Sequence, residues 1–228
     1  MRRKVAPSTA IQIKQRVRRD GAAAEQPLLP GWAELLAAVP IKYSQNAEIF
    51  GDGQPAEYLY KVVDGAVRTF KVFSDGCRQI TGFFLSGEFF GLETGNEHTL
   101  SAEAITNSKI LSIKRSVLAV LAEHDNETAR RLWELAACEL KRAQTHATLL
   151  ILNAKERVAK FLLEMASRNP KGTKIELPMA RLDIADYLGL TVETVSRVLG
   201  DLEAANIIAR PTARHVVLRD RGKLSPTA

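Results

Sequence analysis

A stretch of twenty residues constrains this chain more than any other: ARLDIADYLGLTVETVSRVL, positions 180–199. A small residue, Ala185, stands where two short helices would have to cross. Four positions on, Gly189 supplies the positive φ that a tight turn between such helices needs. Six further on, β-branched Val195 is placed to pack back against the first helix. Ile184, Leu188, Leu190, Val198, Leu199 and Leu202 fill the remaining inward positions, and Thr191 is a good N-cap for the second helix. The strand-like text IIARPTARHVVL follows and adds a wing. The spacing predicts a winged helix-turn-helix.

In such a unit the first turns of the second helix enter the DNA major groove. The outward residues there are Val192, Glu193, Ser196 and Arg197. Arginine can donate to both acceptors of a guanine, and glutamate can accept from a cytosine amine. Val192 suits a thymine methyl, while Thr191 and the helix N-terminus suit a phosphate. A plain alternative exists for two of these residues, since Glu193 and Arg197 at i, i+4 also fit a helix salt bridge.

Upstream the texture differs. Between about residues 30 and 115, short apolar or alternating runs such as EYLYKVVDG and RQITGFFLSG are punctuated by Gly65, Gly76, Gly82, Gly87 and Gly91. Such spacing, with turn signals every ~8 to 12 residues, suggests a compact all-β roll. FSDGC carries the Asp-Gly pair of a tight hairpin. From Asn126 to about Ala166 there is neither proline nor glycine. Within that helical stretch Trp133, Ala136, Leu140, Ala143, Ala147 and Leu150 recur at spacings of 3, 4, 3, 4 and 3, a heptad seam. Leu132 and Leu135 form a second apolar set. Two faces point to one partner inside the chain and one outside it, a twin helix across a dimer axis. A helix buried wholly within one subunit is the alternative. NAKERVAKFLLEMASRN continues as an amphipathic helix, NPKG breaks it, and TKIELP reads as a short strand.

Composition excludes several classes. No run approaches the roughly 18 apolar residues that a membrane span requires. The N-terminus is basic without an apolar core, so it is not expected to be a secretory signal, and a cytoplasmic location follows. Formal net charge is +6, of which residues 1–26 hold +5, marking a flexible basic arm. Cys77 and Cys138 are too few for a disulfide framework or a cysteine cluster, and the histidines show no metal-pair spacing. No phosphate loop or nucleophile elbow is present, and only His98 lies in the roll, so cupin-like metal chemistry and enzyme activity in general are not expected.

A glycine-punctuated roll, a long pairing helix and a winged helix-turn-helix, in that order over about residues 30–222, resemble the CRP/FNR family of bacterial transcription regulators. LGLTVETVSR is most similar to its FNR and FixK branches, whose recognition helix carries E-x-x-S-R, here Glu193, Ser196 and Arg197. The cyclic-AMP receptor carries glycine where Ser196 stands. The resemblance implies a palindrome of the type TTGAT-N4-ATCAA with the arginine on guanine. In the cyclic-AMP branch a Gly-Glu pair and an Arg-Ser pair hold the nucleotide; here Gly91 is followed by Leu92 and Ser101 is preceded by Leu100. A buried phosphate would then lack its cation. The first 76 residues hold no cysteine for an iron–sulfur cluster, and Cys77 is a lone candidate for a haem ligand. A FixK-like regulator with no cofactor of its own remains.

The expectation is therefore an α+β protein: a basic arm (1–29), a cyclic-nucleotide-binding-like jelly roll (30–125), a dimerisation helix (126–153) and a winged helix-turn-helix with a short tail (154–228). The resemblance implies a homodimer on palindromic double-stranded DNA, an activator working with RNA polymerase on genes of low-oxygen respiration, denitrification or nitrogen fixation. A regulator whose roll binds a small effector stays open as the alternative.

Overall fold

The computed structural model describes residues 39–168 and 174–224. The basic arm, the NPKG break and the end of the tail lie outside the described residues.

Two antiparallel four-stranded sheets make the roll. One orders β1 (Ile41–Tyr43), β8 (Ser108–Lys114), β3 (Tyr58–Asp64) and β6 (Phe89–Phe90). The other orders β2 (Glu48–Phe50), β7 (Ser101–Ala104), β4 (Ala66–Val72) and β5 (Arg78–Leu85). Between them Phe50, Tyr60, Val62, Val67, Phe84 and Phe90 form an aromatic-rich core. The Asp-Gly hairpin turns where expected: Gly76 has φ +81° and its N–H donates to the Phe73 carbonyl at 2.9 Å. Gly65 admits no side chain, because a Cβ there would lie 2.8 Å from the Ser108 Cα.

A short helix, α1 (Arg115–His124), begins directly where β8 ends. With α2 (Asn126–Leu149) it covers one sheet. Leu132 and Leu135 of α2 pack on the cluster of Leu59, Leu111, Ile113 and Leu118. Asp125 caps α2, accepting from the Glu127 and Thr128 amides. The long helical stretch is two helices. After a turn at 150–153, α3 (Ala154–Ser167) starts at an Asn153–Glu156 capping box, which satisfies two otherwise orphaned amides.

The remainder is a helix-turn-helix, α4 (Arg181–Leu188) and α5 (Val192–Ala204), with an antiparallel sheet in the order β10 (Ile208–Thr212), β11 (His215–Leu218), β9 (Lys174–Glu176). Its core does not stop at a domain boundary. Ala66, Phe70, Ile80 and Phe83 from the β4–β5 hairpin belong to the same buried cluster as Phe161, Leu162, Ile184, Tyr187 and Leu199. Residues 66–70 are consequently all buried, since alternate side chains face the roll interior and the C-terminal unit. Both faces of the strand are covered, so it lost the polar alternation of a half-exposed one.

Candidate nucleic-acid interface

Gly189 ends α4 in the left-handed region, φ 61° and ψ 43°, and turns the chain into α5. A Cβ there would sit 3.4 Å from Arg157 Nη1, which donates to the Leu188 carbonyl at 2.8 Å. Ile184, Ala185, Leu188, Val195, Val198, Leu199 and Leu202 are buried, and Leu190 is half-buried against them. The hydroxyl of Thr191 accepts from the Thr194 amide at 3.2 Å and caps α5.

This packing decides what α5 presents outward. Thr191, Glu193, Ser196 and Arg197 are exposed, whereas Val192 is half-buried and leans on the core. No ion pair joins Glu193 to Arg197 among the described residues. The Glu193 carboxylate instead folds back to the start of the helix, where its own backbone amide and the Thr191 hydroxyl hold it below the usual carboxylate range. The Arg197 guanidinium makes no hydrogen bond or ion pair to any described residue, which leaves its donors open. At the wing tip Arg214 is exposed; its backbone amide donates to Thr212 Oγ1 and its carbonyl accepts from the Leu177 amide, while its guanidinium pairs with no described residue. The sequence reading passed over Arg214, although a basic residue in the turn of the wing was there to be seen.

Along α2, Trp133 is 75% and Leu140 60% exposed, and Ala143 and Ala147 are open as well. Ala136 is half-buried, and Leu150 packs on the helix-turn-helix core. Ile151, 83% exposed, prolongs the uncovered strip.

A cavity of about 160 Å³ lies between the roll and α2, with Thr69, Thr81, Leu92, Leu100 and Arg142 among its walls. Arg142 is the one cation on it among the described residues; it lies 4.6 Å over the Phe84 ring and is paired with Glu139 at 3.0 Å and Glu88 at 3.4 Å. Burial pushes the Glu139 carboxyl up. Ser101 has its hydroxyl occupied by the Asp52 amide at 3.0 Å. Nearby His98, 1% exposed, stacks on Phe50 with ring centroids 3.6 Å apart, and neither of its nitrogens has a hydrogen-bond partner among the described residues. Cys77 lies exposed beside the hairpin turn, where its hydrogen bond with Asp75 raises the thiol above its usual value. No group of three metal-ligating side chains occurs among the described residues.

Two family models match, a cyclic nucleotide-binding domain over residues 40–125 and a Crp-like helix-turn-helix domain over 156–226. The chain is 46% identical over 210 residues to the nitrogen fixation regulation protein FixK of Azorhizobium caulinodans, covering 90% of this chain and 85% of that protein. It is 41% identical to the protein of the same name from Rhizobium meliloti, over 76% of this chain and 80% of the other. Among solved structures, FixK2 from Bradyrhizobium japonicum superposes with a TM-score of 0.80 at 47% identity, covering 84% of this chain and all of that one. Taken with the geometry of α4 and α5, these likenesses place the chain in the CRP/FNR family of DNA-binding transcription regulators, which are not enzymes, and within that family it is FixK-like.

Proposed function

We propose that the chain acts as a homodimeric transcription activator on a palindrome of the type TTGAT-N4-ATCAA. The observation that carries this reading is Arg197, exposed near the start of α5 with no partner for its guanidinium among the described residues. A free fork at that place suits bidentate donation to guanine. Glu193, no longer tied to Arg197, is available to a cytosine amine; Ser196 and the edge of Val192 complete the base-facing set. Thr191 and the helix N-terminus take a phosphate.

The strip of Trp133, Ala136, Leu140, Ala143 and Ala147, prolonged at Leu150, pairs with its twin in this reading. Small residues there let two helices approach closely. Division of labour follows the expected boundaries: an arm to residue 29, a sensor-like roll to 125, a pairing helix to 153, then the DNA-binding unit. The regulator works in the cytoplasm with RNA polymerase on genes of low-oxygen respiration, denitrification or nitrogen fixation, the last supported by the names of its FixK relatives.

No effector is required in this reading. Leu92 and Leu100 line the cavity, and its one cation, Arg142, already has two carboxylates, so a cyclic phosphate would be buried without a partner. A second reading rests on the same cavity, whose Thr69 and Thr81 hydroxyls and half-buried Arg142 would suit a small polar effector.

Titration of the purified protein onto a labelled palindrome, against a duplex with its guanines replaced and at one fixed salt concentration, separates the two. Tight, guanine-dependent binding with nothing added is expected. Binding that appears only with cyclic AMP or another added effector favours the second reading, and equal binding to both duplexes overturns the base-reading assignment.

A further inference from the structure

The β4–β5 hairpin turns three polar side chains, Arg68, Arg78 and Gln79, toward α4. None is solvated. Arg68 is buried and donates through Nη1 to both Asp183 oxygens, at 3.1 and 2.9 Å. Its other nitrogens hold Glu103 and Asn46 of the roll. Arg78 donates through Nη2 to Asp183 at 2.9 Å, and grips Asp186 Oδ2 through Nε and Nη2 at 2.9 and 2.7 Å. Gln79 donates to the Asp186 carbonyl at 2.6 Å. Asp183, 2% exposed, is thus shared by two arginines more than a hundred residues away, while it also accepts from the Ala180 amide at the start of its own helix.

The far end of α4 is claimed from other sides. The Tyr187 carbonyl accepts from the His146 ring of α2 at 2.7 Å, and that ring stacks on Tyr187. The Leu188 and Gly189 carbonyls accept from Arg157 of α3. The last carbonyls of a helix have no partner inside it. Here they are satisfied by side chains from β5, α2 and α3.

From this arrangement we infer that Arg68, Arg78 and Gln79 are positioning residues for DNA recognition: they clamp α4, and α5 with it, at one angle to the roll and to α2. Apolar packing of Phe70, Ile80 and Phe83 on Tyr187 and Leu162 supplies cohesion without direction. Charge-assisted arginine–carboxylate hydrogen bonds, several to each carboxylate, supply direction. Buried ion pairs add little net stability over apolar packing, so geometry is what this cluster contributes. α5 follows α4 rigidly, because Gly189 joins them and Ile184, Leu188, Val195 and Leu199 form one core. The inference rests on the proposed paired reading of a palindrome, in which two recognition helices must sit about one helical turn of DNA apart.

The test uses the full-length protein and compares duplexes with the native spacer, a spacer one base pair longer, and a single half-site. Wild type is expected to prefer the native spacer. Arg78→Ala is expected to lose that preference by about 5- to 150-fold, the usual range of coupling between linked elements. Its affinity for the half-site should stay at the wild-type value. Arg78→Lys keeps a charge beside Asp183 but lacks the planar fork, so it stays folded and loses part of the preference. It carries the test should the alanine variant not fold. Unchanged spacer preference in the folded variants overturns the clamp, and so does a parallel loss on the half-site, which would place the effect inside the helix-turn-helix. A wild type indifferent to spacer length overturns the paired reading itself.

Discussion

α4 and α5 are two helices of one motif, joined by the three-residue turn 189–191, and they are treated in opposite ways by the rest of the molecule. On α4 the carboxylates of Asp183 and Asp186 are paired, and the final carbonyls are taken by side chains from three other elements. On α5 the buried face is as well packed, yet the outward face of Glu193, Ser196 and Arg197 engages no other element among the described residues. The contrast teaches how to tell a held helix from an offering one. Both are polar on the outside in sequence, and only the partners differ. A held helix spends its polar groups inside the protein, and an offering helix keeps them for something else.

Removing what the two helices share should cost most. Ile184→Ala deletes a fully buried side chain between them, and a loss of about 2–5 kcal/mol is expected from the urea midpoint. A loss confined to DNA binding with unchanged stability would break the claim that α4 and α5 move as one. Next, Arg197→Ala removes a contact from the offering face alone. Specific affinity should fall by about 1–3 kcal/mol per half-site in anisotropy titrations, with the melting temperature unchanged. A drop in melting temperature would mean that Arg197 is a held residue after all. Gly189→Ala touches the joint. With φ at 61° it should destabilise by about 1–2 kcal/mol, and binding should weaken through misplacement of α5.

The smallest effect lies in the roll and asks whether its buried histidine belongs to the held class. Burial pushes His98 below its usual value of 6.5, against a smaller opposing pull from Glu93, 3.7 Å away. The folded state therefore prefers the neutral ring. Its contribution to stability is full above pH 6.5 and is lost as pH falls through the lower folded value. Thermal melts should show stability declining on acidification below that point, and His98→Phe should flatten this part of the profile. An unaltered profile in the variant would assign the decline to other groups.

The sequence made α5 legible because a helix-turn-helix is local: Ala185, Gly189 and Val195 meet within one short segment, and their spacing is the fold. The roll was legible as a texture, through glycines and the Asp-Gly hairpin. Two helix boundaries were not. α1 follows β8 with no proline, glycine or side-chain cap between them, so nothing in KRSVL marks where the strand stops and the helix starts. The stop between α2 and α3 lacked the usual breakers as well, but the Asn153–Glu156 capping box was a signal available to be read. The clamp was beyond local reasoning altogether. Arg68 and Arg78 look like surface arginines until a helix 105 to 115 residues later is laid on them.

That separation also sets a schedule for synthesis. At the usual rate of translation, the outer face of the β4–β5 hairpin leaves the ribosome roughly 5 to 20 s before the helix that covers it. For that interval Ala66, Phe70, Ile80 and Phe83 have no cover, and a strand with an apolar outer face invites pairing with other nascent chains. Arg68 stands on that same face, between Ala66 and Phe70. A charge in the middle of an aggregation-prone strand acts as a gatekeeper. The residue that anchors the finished protein thus also protects the unfinished one.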